Sequence, residues 1–428
     1  MMTAFPSLLA YSQKRFRLAG KAILEEHNPW FMPLDGLRAQ IEARGESLIS
    51  FANYDYLGLA GHEAVKNAAH DAIDRHNLGA LGSRLVGGER LIHTEFEKAI
   101  AEFVGAEACM TLVSGYLTNS TLISHLLGNK DLLIIDELCH SSIMSGAKGA
   151  HAVMMTFEHN DLDQLEHLLK THRTSYRNCL IVVEGLYSMD GDLPDLPKLL
   201  SLKDQYQAWL LVDEAHSFGV LGDRGRGIAE HFGEDPNRID LIVGTLSKAL
   251  VSCGGFLCAR KEIIDWLRFT LSGFVYSVGL SPVITAAAHE ALRLIASQPQ
   301  RTARLRLVSE LFLRKARSAH LNTGTAIGRG IVPIMFPDIH STLRASAALL
   351  DANIFAPPIV HVGVPKNAPR IRFFLSAAHE AQHLDQAISV LRAQVHDVPP
   401  PELAPVDFAP NDVNAGEVVA VKVQGRSW

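Results

Sequence analysis

The chain has 428 residues, 47% of them hydrophobic and 20% charged, with 32 glycines and 19 prolines. That composition excludes a disordered, collagen-like or coiled-coil chain, and the length suggests two or three structural units with a core that needs no staples. A net charge of −6 marks neither a nucleic-acid partner nor an anionic lipid surface.

Cys109, Cys139, Cys179, Cys253 and Cys258 are scattered, without zinc-ligand spacing, which fits a reducing compartment better than a disulfide framework. The opening segment puts its basic residues after a very short apolar run, unlike a secretory leader. No window approaches the roughly 18 uninterrupted apolar residues of a membrane span. The expected location is the cytoplasm, with no transmembrane segment.

In chain order, residues 1–48 are expected as an N-terminal helical segment, with KAILEEHNPW ending at a proline. Residues 49–304 alternate short apolar runs with helical patterns, which predicts an α/β domain with a mostly parallel sheet. Strands are expected at Leu132–Ile135, Leu180–Val183, Trp209–Val212 and Leu241–Val243, each nearly continuous in apolar character, as strands buried on both faces are. Thr94 and Glu97 have capping-box spacing and predict a helix start. A long helical stretch near 283–320 leads into a smaller α+β domain over 305–396, with strands near Ile331–Phe336 and Ile371–Leu375. The segment 397–428 is Pro-rich and polar and is expected to be extended.

Three segments carry chemistry. Asp213, in LLVDEAHS, ends one apolar run; Lys248, in GTLSKA, follows another; Glu184 opens EGLYSMDGD after a third. Open α/β sheets bind ligands at the carboxyl ends of their strands. Taken singly, the two charges read as a surface lysine and a helix-capping aspartate. Together they suit pyridoxal 5'-phosphate (PLP), whose aldehyde takes a lysine amine and whose pyridine nitrogen takes a carboxylate.

The segments NYDYLGL (53–59), GSRLVGG (82–88), SGYLTN (114–119), DELCHSS (136–142), EGLYSMDGDLPDL (184–196), LVDEAHSFGVLGDRGRG (211–227), GTLSKA (244–249) and GGF (254–256) carry a further signal. Over about residues 45–395 the sequence resembles the α-oxoamine synthases, PLP enzymes of fold type I (aspartate aminotransferase-like). The resemblance implies a large α/β domain with a small C-terminal α+β domain. It also implies a decarboxylative Claisen condensation of an α-amino acid with an acyl thioester, on CoA or an acyl carrier protein, giving an α-aminoketone. In this reading Lys248 holds the cofactor as an imine and later moves the Cα proton. Asp213 pairs with the pyridine nitrogen, His216 meets the phenolic oxygen with Ser188 nearby, and His140 stacks on the ring.

Ser114, Gly115 and Tyr116 at a helix start, with hydroxyls of Thr245 and Ser247, would take the phosphate. The family's partner-subunit phosphate contact falls on 276–282, where this chain departs from the usual form, and it implies a homodimer with active sites at the interface. Arg370 and Arg372 alternate onto one strand face, and the motif assigns the substrate carboxylate to Arg372. Tyr54 stands where glycine-using members usually have Ser-Asn-Asp-Tyr. It is nearer to serine palmitoyltransferase-type members and points to serine or alanine, with Ser83 as a second carboxylate contact; core packing is the alternative role of Tyr54.

Competing readings are an aminotransferase or aldolase-type enzyme of the same fold, or a non-catalytic homologous subunit. His379-Glu380-Ala381-Gln382-His383 matches HExxH, but no third zinc ligand follows, so no metal is expected. No dinucleotide, Walker or nucleophile-elbow motif occurs.

Overall fold

The computed structural model describes residues 7–18, 30–36, 39–43, 45–360 and 368–395. The segment expected to be extended, 397–428, and all of KAILEEHNPW but Trp30 lie outside the described residues. A helix does occupy Leu8–Leu18, but the helical expectation for 1–48 fails at its end. β1 (Gln40–Ala43) and β2 (Glu46–Ser50) form an antiparallel hairpin. The physical reason is alternation: Ile41 and Ala43 alternate with exposed Gln40 and Glu42, and Leu48 and Ser50 with the exposed Ser47 and half-buried Ile49, and Gly45 takes the turn at φ +81°, where a side chain is disfavoured.

The large sheet comprises β3 (Ala108–Leu112), β4 (Leu132–Asp136), β5 (Val153–Phe157), β6 (Cys179–Glu184), β7 (Trp209–Asp213), β8 (Leu241–Thr245) and β9 (Gly255–Ala259), in the order β3-β9-β8-β7-β6-β4-β5. Every neighbouring pair is parallel except the two that β9 makes. Successive residues of the central strands face opposite cores. Leu132, Ile134, Ile181 and Val183 join one apolar cluster, while Leu133, Ile135, Leu180 and Val182 join the other. Full burial of each such side chain contributes about 1.5–3 kcal/mol. This two-sided burial is why the runs look continuously apolar in sequence.

The expected 283–320 helix is two helices, Pro282–Ser297 and Gln300–Ser318, parted at Pro299, which lacks the amide a continuous helix needs. They lead to β10 (Ile331–Met335), the helix Ile339–Asp351, β11 (Ile354–Phe355), β12 (Pro358–Ile359), β13 (Arg370–Phe374) and the helix Ala381–Val395. β13 lies between β10 and β12, antiparallel to both, while β11 joins β2 in parallel. The chain's early hairpin is therefore completed by a strand of the C-terminal unit. One apolar cluster runs from Leu132 and Ile181 through Phe51 to Ile331, Phe373 and Leu391, joining the large sheet to the C-terminal unit.

The helix expected to start at Thr94 starts at Leu91 instead. His93 Nδ1 accepts from the Arg90 amide at 3.2 Å, and the Glu97 carboxylate is drawn away to Arg84, Arg268 and the Thr111 amide. A buried carboxylate with two guanidinium partners outcompetes a terminal amide for its oxygens.

Candidate active site

The carboxyl ends of β4, β6, β7 and β8 gather the titratable groups. Glu184 and Asp213 are register partners at the ends of β6 and β7, and both are buried. Lys248 follows β8 in the turn after Thr245 and is half-buried, its Nζ 5.5 Å from the centre of the Tyr54 ring. Burial pushes the Lys248 ammonium down to about 8, with Arg372 adding to the fall and Asp213 and Glu184 opposing it. Burial and the Asp213 charge raise Glu184 to about 8, so this carboxyl is largely protonated at neutral pH.

A chain of hydrogen bonds fixes the aspartate. Asn119 Nδ2 donates to Asp213 Oδ2 at 2.7 Å and to Ser142 Oγ at 3.0 Å, and the Ala215 amide donates to Asp213 Oδ1 at 2.9 Å. Ser142 Oγ and His140 Nδ1 lie 2.8 Å apart, and the Ser142 amide also donates to that nitrogen at 3.3 Å. His140 Nδ1 is therefore the acceptor and Nε2 carries the hydrogen. Burial lowers the His140 pKa, with help from Lys248 and Arg372 against Asp213, which keeps the ring neutral.

His216 is set in the same way. Its Nδ1 is 2.7 Å from the Tyr56 hydroxyl, and its ring is stacked within 9° of Phe374, 6.2 Å away. Burial holds its pKa well below the usual imidazole value. With the phenol as donor to Nδ1, a neutral ring would carry its N–H at Nε2, available as a donor.

Arg372, on β13, brings the C-terminal unit into the site. Its Nη1 donates to the Ser188 carbonyl at 2.7 Å, its guanidinium lies 4.3 Å from the Phe374 ring centre, and burial lowers its pKa. Arg370 is already used: its Nη1 donates to Asp190 Oδ1 at 2.6 Å and to the Met189 carbonyl at 3.1 Å. The two arginines share a face, as alternation required. Tyr54 is 37% exposed and packs edge-on against Phe374 at 4.7 Å.

The other edge of the site is a helix start. Ser114 caps the helix Gly115–Leu126, with Oγ 3.4 Å from the Leu117 amide. Thr245 Oγ1 is 2.8 Å from Ser247 Oγ and donates to the Gly254 carbonyl at 3.0 Å. A Cβ on Gly115 would lie 3.1 Å from Thr245 Cβ, and one on Gly255 would lie 2.7 Å from Gly115 Cα, so two glycines let the helix start sit directly on β8 and β9. Tyr116 is half exposed, its ring edge-on to His140 at 6.4 Å and its hydroxyl 2.5 Å from Ser145 Oγ.

Lys248, Asp213, His140, His216, Arg372 and Tyr54 are thus brought together, with Ser188 joined through its carbonyl to Arg372 and its amide to Glu184. Ser114, Gly115, Thr245 and Ser247 form the helix-start edge. Ser83 stands apart: its hydroxyl donates to the Val275 carbonyl at 2.6 Å. His379 and His383 do not share a helix face, because the helix begins at Ala381. His379 is committed at both nitrogens, to the Ser376 amide and the Ser50 carbonyl.

Asn119, Ser142 and Tyr56 are residues around the site that the sequence alone did not single out, although each lies inside a segment quoted above, and Glu184, noted at a strand end, was given no role. Among the described residues, Asn119 Oδ1, Glu184 Oε1 and Arg372 Nε are buried without a hydrogen-bond partner. Their donor and acceptor chemistry, beside a strand-end amine and a carboxylate, fits a polar aromatic cofactor and a substrate carboxylate.

The sequence matches the model of the family "Aminotransferase class I and II" over residues 46–391. It is 37% identical over 344 residues to an 8-amino-7-oxononanoate synthase of Thermoanaerobacter pseudethanolicus, covering 80% of this chain and 87% of that one. It is 34% identical over 386 residues to a serine palmitoyltransferase of Bacteroides thetaiotaomicron, covering 90% and 97%. Among solved structures, a serine palmitoyltransferase with a PLP internal aldimine superposes with TM-score 0.87 at 26% identity, over 92% of this chain and 99% of that one. On these matches the chain belongs to the aminotransferase class I and II family, in its α-oxoamine synthase branch.

Proposed function

We propose that this enzyme condenses a small α-amino acid, serine or alanine in preference to glycine, with an acyl thioester on CoA or an acyl carrier protein, and works as a homodimer. At the coarser level it is a PLP-dependent acyltransferase of the α-oxoamine synthase type. The overall change joins the amino-acid Cα to the acyl carbon, releases the thiol and carbon dioxide, and leaves an α-aminoketone.

When bound, PLP supplies an electron sink for the charge that develops at the substrate Cα. Asp213, held by Asn119 and the Ala215 amide, would keep the pyridine nitrogen protonated. His216 would donate from Nε2 to the phenolic oxygen beside Ser188, and His140 would cover the ring face. The amides of Gly115 and Tyr116, with the hydroxyls of Ser114, Thr245 and Ser247, would receive the phosphate. Lys248 would hold the cofactor through its amine and then act as the base at Cα, since near pH 8 its Nζ readily loses its charge. The Arg372 guanidinium suits a carboxylate in planar two-point geometry, and Tyr54 would border the substrate side chain.

The observation that carries the reading is the convergence of the Asp213 carboxylate and the Arg372 guanidinium on the Lys248 amine, each within electrostatic reach of it. Thiol release measured across glycine, L-alanine and L-serine with short and long acyl thioesters tests it. Serine or alanine should exceed glycine by about tenfold or more, the size of discrimination a small pocket difference supports. Lys248→Ala should abolish both thiol release and the absorption band of the lysine–cofactor imine. Multiple turnover by that variant, or no thiol release from the wild type with any pair, would overturn the reading.

A further inference from the structure

The turn after β6, residues 187–192, touches more of the molecule than a connection needs to. On one side Arg372 holds the Ser188 carbonyl and reaches Met189 Sδ at 3.3 Å, and Arg370 holds Asp190. On another, the Ile327 amide donates to the Gly191 carbonyl at 3.1 Å. Gly191, at φ +71°, leaves no room for a Cβ, which would lie 2.4 Å from the Ile331 carbonyl oxygen. Each of these partners belongs to β10, β13 or the segment before β10.

Besides the Ser188 amide, which donates to Glu184 at the end of β6, an imidazole ties the turn to the large sheet. His159, just beyond β5, puts Nδ1 3.0 Å from Asp136 at the end of β4 and Nε2 3.1 Å from Asp192, with the Tyr187 ring edge-on at 4.4 Å. The same oxygen, Asp192 Oδ2, is also gripped from the C-terminal side, where Thr325 Oγ1 donates to it at 2.5 Å. One carboxylate is therefore shared between the sheet edge and the segment leading into β10. A neutral imidazole can donate from only one nitrogen, so two carboxylates at the two nitrogens require the doubly protonated ring. Burial alone would discharge it, but Asp136 and Asp192 hold its pKa up at about 10.

We infer that His159, Asp192 and Thr325 form a latch that positions the 187–192 turn, and through it the Arg372 guanidinium, for the amino-acid carboxylate. None of the three touches the reacting atoms; they are positioning residues. The inference rests on the reading of Arg372 as the carboxylate site. It accounts for why a residue of the C-terminal unit can be held to a fixed place on the large sheet: the Ser188 carbonyl that orients Arg372 lies on the same short turn as the carboxylate the latch grips.

The test uses holoenzyme variants and spectral titration of cofactor absorption with two probes, L-alanine and L-alaninol, which lacks the carboxylate. Thr325→Val removes only the hydroxyl donor, and Asp192→Asn keeps the shape while removing the charge. Both should weaken L-alanine binding about 3- to 10-fold, the worth of one lost buried hydrogen bond, while leaving L-alaninol binding and the absorption maximum unchanged. KM for the amino acid should rise more than kcat falls. In the double variant His159→Leu/Thr325→Val, the losses should be less than additive. If Arg372→Gln loses the preference for L-alanine over L-alaninol but the latch variants keep it at the wild-type value, the latch is overturned and the function stands. If Arg372→Gln keeps that preference, the carboxylate reading falls and takes the latch with it.

Discussion

Lys248 is a nucleophile whose readiness is set by where it sits. Burial is the dominant cause of its fall to about 8, ahead of the attraction of Asp213 and Glu184. The protonated amine cannot attack an aldehyde, so the sign is fixed: capture of PLP by the cofactor-free protein should accelerate as pH rises toward about 8 and level off above it. Below that point the rate should fall about tenfold per pH unit, following the free-amine fraction. Stopped-flow absorbance between pH 6 and pH 9 reads this directly, and a flat profile would contradict the assignment. Lys248 and Asp213 were readable as candidates because each ends or follows a continuous apolar run, whereas His140 and His216 were named only through the resemblance of the segments around them. Asn119 was not, because its meaning comes from an aspartate 94 positions away. Tyr56 has the same history: nothing local says that its hydroxyl meets Nδ1 of His216. The reverse also holds for His379, whose motif suggests a metal ligand while its neighbours make it a buried backbone tie.

At the level of elements, the helix start at Gly115 depends on missing side chains. Gly255→Ala would set a Cβ 2.7 Å from Gly115 Cα and 2.5 Å from Thr118 Oγ1. The helix must then lift from β8 and β9. Overpacking of this kind costs about 1–3 kcal/mol, and PLP affinity should fall with it, because the displaced amides are those proposed for the phosphate. Gly128→Ala, where the nearest atom is 3.9 Å away, is the control. Urea unfolding and an absorbance titration with PLP separate the two variants; equal behaviour would mean that the close approach is not functional. The buried strands β4, β6, β7 and β8 were readable from their composition, as were the helices of the C-terminal unit, whereas the equally buried β9 was not. The hairpin at β1 and β2 was not read, since two four- to five-residue runs beside a long amphipathic-looking stretch resemble a helix end until their partner strand is known. The helix start at Leu91 was misread for a different reason. Glu97 looks like a capping residue locally, but Arg84 and Arg268 claim it from outside the helix.

The whole molecule leaves a face unfinished. Leu81, Val86 and Tyr276 are 92%, 87% and 87% exposed, and the backbone bridge between Ser83 and Val278 brings their two segments side by side. Exposed apolar side chains on two adjoining segments suit an interaction surface, and the proposed occupant is a second copy of the chain. Light scattering should return a dimer for the wild type at micromolar concentration and a monomer for Val86→Asp/Tyr276→Glu. A monomeric wild type would remove the proposal. The pairing of β2 with β11 has a different reach, into biosynthesis. β2 leaves the ribosome early, yet its edge partner at Ile354 is translated only after the entire large sheet. Until then that edge hangs open, with its unpaired amides and carbonyls free to recruit a neighbouring nascent chain. Truncated products ending before Ile354 would keep this sticky margin permanently, whereas joining the two regions by circular permutation would close it in the first moments of synthesis.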